Sequence, residues 1–86
     1  MNDKVRYLVE MEPNMIKGIA LFRLTFERGG SVDYAYASPD GEFLTLDESE
    51  WAILPHNRMV EVTEAIVDEW ASNGPVDYNT LTTYVV

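Results

Sequence analysis

From Lys4 to Glu12 the chain alternates: Val5, Tyr7, Val9 and Met11 take every second position, while Arg6, Glu10 and Glu12 hold most of the positions between. That is the period of a strand with one side buried and the other wet. Pro13 closes it, since proline has no N–H to give to a ladder. A second alternation runs from Ile19 to Arg28, with Ala20, Phe22, Leu24 and Phe26 in one phase and Arg23, Thr25 and Glu27 in the other. Gly29-Gly30 then supplies a tight turn, and Ser31 to Ala37 returns with Val32, Tyr34 and Tyr36 in phase, which predicts a β-hairpin. Pro39-Asp40-Gly41 is a second turn. Glu42 to Leu46 follows as a short fourth strand of a meander.

After Leu46 the signals are those of helices. In LDESEW, residues 46–51, Asp47 stands as an N-cap with Glu50 three positions on, the spacing of a capping box, and Leu46 and Trp51 bracket it as a hydrophobic staple. Glu48 in the first turn complements the helix dipole. The stretch therefore reads as the start of a short helix that Pro55 interrupts. Between Asn57 and Asn73, Met59, Val62, Ile66 and Trp70 recur at helical spacing, with Glu61, Glu64 and Asp68 facing outward, and Gly74-Pro75 ends the run. This predicts a main amphipathic helix over 57–73, anchored by Trp70. A competing reading folds 51–54 and 58–62 as a hairpin about Pro55 and starts the helix at Thr63; the longer amphipathic pattern favours the helix. Val76 to Val86, rich in threonine, tyrosine and valine, predicts a last strand. The expected fold is α+β: an antiparallel meander of four to five strands, one main amphipathic helix packed on one face, and a short preceding helix.

Eighty-six residues suffice for a single domain over 1–86 with a thin core. The absence of cysteine removes disulfides and thiolate metal sites. The amino-terminal stretch MNDKVRYLVE carries acid and lacks the apolar run of a secretory signal. The longest strongly apolar run, Ile19 to Phe22, is far shorter than a membrane span of about 20 residues. The expectation is a soluble, cytoplasmic protein.

Charge changes the picture most. The net charge is −9, and it is unevenly placed. Residues 1–30 hold five basic and four acidic side chains; residues 31–86 hold Arg58 alone against eleven acids. Such a field repels nucleic-acid backbones and anionic membranes and attracts a basic protein surface. Catalytic patterns are weak beside it. His56, the single histidine, lies between Pro55 and Asn57 with no nucleophile signature near it. Asp40, Glu42, Asp47, Glu48 and Glu50 are oxygen donors, but without the spacing of a calcium loop, so only adventitious divalent binding is expected and no cofactor. Gly29-Gly30 joins two strands and has no downstream lysine, which excludes a P-loop.

The sequence thus points to a non-enzymatic inhibitor or adaptor whose acidic surface meets a basic, nucleic-acid-binding protein. The candidate contact residues are Glu61, Glu64 and Asp68, as a negative stripe on the predicted helix, together with Asp40, Glu42 and Glu48. In size, cysteine-free composition and charge the chain is similar to small phage-encoded proteins that block host nucleases, anti-CRISPR and anti-restriction proteins among them, several of which mimic DNA. That similarity is compositional and carries over no residue. An immunity or antitoxin protein, an accessory structural subunit, and a carboxylate-dependent metal-binding enzyme are the alternatives.

Overall fold

The computed structural model describes residues 4–11, 20–38 and 40–86. Glu12, Pro13, Ile19 and Pro39, which mark expected strand ends and a turn, lie outside the described residues. Five strands, β1 (Lys4–Glu10), β2 (Ala20–Phe26), β3 (Val32–Ala37), β4 (Phe43–Leu46) and β5 (Met59–Val62), form one antiparallel sheet in the order β4-β3-β2-β1-β5. Three helices accompany it: α1 (Glu48–Ala52), α2 (Ile66–Asn73) and α3 (Tyr78–Thr82). The α+β expectation and its four-strand meander hold.

The register decides what the two faces contain. Val9 pairs with Leu21, Tyr7 with Arg23, and Val62 with Tyr7. The apolar phase of β1 therefore shares a face with Leu21, and that face carries α2 and α3. Val9, Leu21, Val62, Ile66, Trp70, Val76 and Leu81 make one buried cluster there. The apolar phase of the first hairpin lies on the opposite face, where Phe22 pairs with Tyr36 and Leu24 with Tyr34. Trp51 of α1 lies against this second face, stacked on Tyr34 at 5.2 Å and edge-on to Phe22 at 5.5 Å. The sheet is thus apolar on both sides, with unequal covers.

Two expected elements are replaced. The helix predicted over 57–73 is instead a 3₁₀ turn at His56–Arg58, the strand β5 and the shorter helix α2. Met59 to Val62 satisfies a helical and a strand period alike, since Val60 and Val62 also stand two apart. The edge of β1 breaks the tie: its backbone groups need partners, and β5 supplies them while placing Val60 beside Val9 and Val62 beside Tyr7. The competing reading had a strand at 58–62, but its partner is β1 and not residues 51–54.

The second replacement is at the carboxyl end, where the strand expected over 76–86 is α3 with a short return. Asp77 caps α3, its carboxylate accepting from the Thr80 N–H at 2.7 Å. The Thr82 and Thr83 hydroxyls donate to the carbonyls of Asn79 and Thr80. Those local bonds and the burial of Leu81 outweigh β propensity. The chain then comes back beside β5: Thr63 N–H donates to the Tyr84 carbonyl at 2.7 Å, and Val86 N–H to the Glu61 carbonyl at 3.1 Å.

Trp70, 3% exposed, is the buried anchor expected of it. Beyond it Gly74 ends α2 at φ +74, its N–H bonded to the Trp70 carbonyl. Gly41 has a stricter duty. It turns the chain between β3 and β4 at φ +90, and a Cβ there would lie 2.6 Å from that of Ala71. Helix α2 therefore seats directly on the β3–β4 turn through the missing side chain.

Candidate functional site

The predicted negative stripe depended on one long helix, and the structure distributes its members over three settings. Glu61 lies in β5, on the face opposite α2, and pairs with Arg6 at 2.5 Å. That bond holds its carboxyl below the usual glutamate range. Glu64 lies in the turn before α2 and Asp68 in the first turn of α2, both exposed beside Tyr7. Burial pushes the Tyr7 phenol up, and the Glu64 charge adds to it. Glu61 and Glu64 line one shallow hollow and Glu64 and Asp68 another, so the three adjoin without sharing the single helix face that the stripe required.

Asp40, Glu42 and Glu48 come together differently. From Gly29 to Asn57 the chain contains Asp33, Asp40, Glu42, Asp47, Glu48 and Glu50 and no lysine or arginine. This stretch folds into β3, β4 and α1, which is one edge of the sheet with its flanking turns. Asp40 and Glu42 stand before β4; Asp47, Glu48 and Glu50 stand after it. With about 3.4 Å of rise per residue the two groups are about 17 Å apart.

Each acid has a local reason for its position. The Asp40 carboxylate accepts from the Ser38 hydroxyl and, at 3.2 Å, from the Glu42 N–H. Both bonds favour the charged form, the hydroxyl most, and hold its carboxyl below the usual aspartate range. Asp47 and Glu50 form the expected capping box, with Glu50 accepting from the Asp47 N–H at 3.2 Å. Glu48 is exposed at the start of α1 and, with Asp33, Arg23 and Thr45, lines a hollow of about 470 Å³. The Arg23 guanidinium lies 4.6 Å from the centre of the Phe43 ring, so this cation is laid against β4.

Two apolar side chains accompany the acids. Tyr36 and Leu44 face each other across β3 and β4 and are 37% and 41% exposed. Ile53, at the end of α1, is exposed as well. Tyr34 and Tyr36 stand in one phase of β3. Only Tyr34 is covered by Trp51; Tyr36, two residues on, lies closer to solvent. Glu10 was expected on a polar side yet is 7% exposed, between Ala20 and Met59 on the neighbouring strands. Its position in the middle of the sheet, invisible before β5 was placed, accounts for that burial.

His56 is engaged in structure. Its ring stacks on Trp51 at 4.8 Å, and Nε2 donates to the Trp51 carbonyl at 2.8 Å. Among the described residues no group of three His, Asp or Glu side chains is placed to hold a metal ion, and no helix is long and apolar enough to cross a membrane. Compared with known protein families, with curated proteins and with solved structures, the chain matches none.

Proposed function

We propose that the protein is a non-enzymatic inhibitor or adaptor that docks the acidic β3–β4–α1 edge on a basic surface of a partner protein whose own ligand is nucleic acid. The observation that carries this reading is the run from Gly29 to Asn57, six acids without a lysine or arginine, folded into a single sheet edge. Basic surfaces of the required sign are the electrostatic footprint of nucleic-acid-binding proteins. Opposite fields raise the rate of encounter more than they hold the complex together.

The contact residues are Asp40, Glu42 and Glu48. Asp47 and Glu50 add charge while capping α1. Glu64 and Asp68 contribute to the general field from a separate place, and Glu61 is committed to Arg6.

A partner recovered by pull-down from cells that make the protein allows a direct test by surface plasmon resonance. Reversing Asp40, Glu42 and Glu48 together to lysine is expected to slow association by about tenfold or more at about 50 mM salt. Reversing Glu64 and Asp68 is expected to slow it by less than about threefold. Raising salt to about 200 mM should weaken the wild type more than the edge variant. Equal on-rates for wild type and edge variant overturn the reading. Stoichiometric, micromolar binding of Ca²⁺ or Mg²⁺ in calorimetry would favour the carboxylate-dependent enzyme instead.

A further inference from the structure

The two edges of the sheet are treated differently. Beside β5, Val85 bridges Val62, and the Thr63 N–H and the Glu61 carbonyl are taken up by Tyr84 and Val86. The other edge is β4. Ser38 N–H donates to the Glu42 carbonyl at 2.7 Å, and the register pairs Tyr36 with Leu44 and Tyr34 with Leu46. In an antiparallel pair, hydrogen-bonded positions alternate with non-bonded ones, so residues 42, 44 and 46 turn their backbone groups toward β3. Phe43 and Thr45 turn theirs outward, and no described backbone group outside the sheet meets them.

An open edge of this kind is a template for another strand, and proteins ordinarily blunt it with lysine, proline or a bulge. The sequence of β4, Phe-Leu-Thr-Leu, has none of these. What it has is acid before and after it, and the exposed Tyr36–Leu44 pair alongside. A second copy of this chain would bring the same acids against these acids, with a net charge of −9 on each molecule. The charge fits an extended segment of opposite sign.

We infer that β4 accepts, by strand addition, an extended segment of a partner protein in which basic residues about five positions apart bracket a β-branched or apolar centre. The backbone of that segment pairs with Phe43 and Thr45. Its basic ends meet Asp40 and Glu42 on one side and Asp47 and Glu48 on the other, and an apolar side chain covers Tyr36 and Leu44. The inference rests on the acidic-edge reading and adds to it the mode of binding.

The probe is a capped synthetic peptide with a Val-Thr-Val-Thr centre between two lysines, titrated to millimolar concentration into the whole protein and followed by amide NMR and hydrogen exchange. Saturable shifts centred on Phe43 to Leu46, with exchange of the Phe43 and Thr45 amides slowed by about tenfold or more, are expected. A peptide N-methylated through its centre should not bind, nor should one with glutamates in place of the lysines. Thr45→Pro removes an outward N–H without touching the β3 ladder and should weaken binding by about tenfold or more; an unchanged spectrum around Trp70 shows that the fold persists. Saturable binding without protection of Phe43 and Thr45, or undiminished by Thr45→Pro, overturns strand addition. If the Asp40, Glu42 and Glu48 reversal still abolishes that binding, the acidic-edge reading survives alone. Equal binding of the lysine and glutamate peptides overturns the basic partner and the acidic-edge reading together, and no saturable shift with any peptide overturns the strand addition.

Discussion

The two faces of the sheet hold one tryptophan each, and the contrast between them separates what makes this protein fold from what it presents. On one face Trp70 is surrounded by Val9, Leu21, Ile66 and Leu81 beneath two helices. On the other Trp51 stands on a five-residue helix, stacked between Tyr34 and His56, with exposed Tyr36, Leu44 and Ile53 in the same region. The first face is closed. The second is half closed and ends at the acidic edge. A domain this small closes one core well, and the remaining apolar surface is where a partner gains most by covering it.

The largest expected effect tests that contrast directly. Trp70→Ala should cost about 3–5 kcal/mol, comparable to the whole stability of a small domain. Trp51→Ala should cost only about 1–2 kcal/mol, because its ring is partly solvated and stacks on half-buried Tyr34 and exposed His56, touching buried Phe22 only edge-on. Urea titrations followed by circular dichroism give both values. Equal losses would mean that the two faces are equally structural, and the division of labour would fail.

Gly41→Ala comes next. A side chain at φ +90 is strained, and this one also runs into Ala71 of α2. A loss of about 1–3 kcal/mol is expected, with the loop tip before β4 and helix α2 perturbed together in amide spectra. Perturbation of the turn alone would show that α2 does not seat there.

Asp47→Ala removes the cap of α1 and should cost about 0.5–2 kcal/mol, felt by Trp51 before Trp70. Since α1 carries Trp51, tryptophan fluorescence in a Trp70→Phe background reports it, and a Trp51→Phe background reports Trp70. A loss seen first at Trp70 would tie α1 to the wrong face.

Smaller effects come from titration. Glu61 has a lowered pKa because Arg6 donates to it, so its contribution is complete above the ordinary glutamate value of 4.5 and vanishes as pH falls through the lower folded-state value. Glu61→Gln should remove less than about 1 kcal/mol, since the pair is at the surface, and should flatten that acid limb. An unaltered limb would show that other carboxylates set it. For Tyr7 the sign is opposite: its raised pKa favours the fold below the ordinary tyrosine value of 10.0, and that contribution is lost as pH rises through the folded value. Glu64→Gln should lower the phenol midpoint in ultraviolet titration without returning it to the ordinary value, because burial is the larger cause. A full return would assign the shift to the charge.

The sequence alone determined the four-strand meander, the Asp47 capping box, Gly74 as the stop of α2 and Trp70 as its anchor. Each depends on neighbours within a few residues, where alternation, cap spacing and turn geometry act without reference to the rest of the chain. The same holds for the acid run from Gly29 to Asn57, which is a property of composition alone. Only the tertiary structure decided that Met59 to Val62 is a strand, because the deciding partner, the open edge of β1, lies about fifty residues away in sequence. It also decided that the carboxyl end is α3, since the burial of Leu81 settles a segment whose β-branched composition argues otherwise. The apolar phases of β1 and β2 are both legible, but whether they share a face is a matter of register. Pairing Val9 with Leu21 sends Phe22, Leu24, Tyr34 and Tyr36 to the far side, and with them the half-covered surface beside β4.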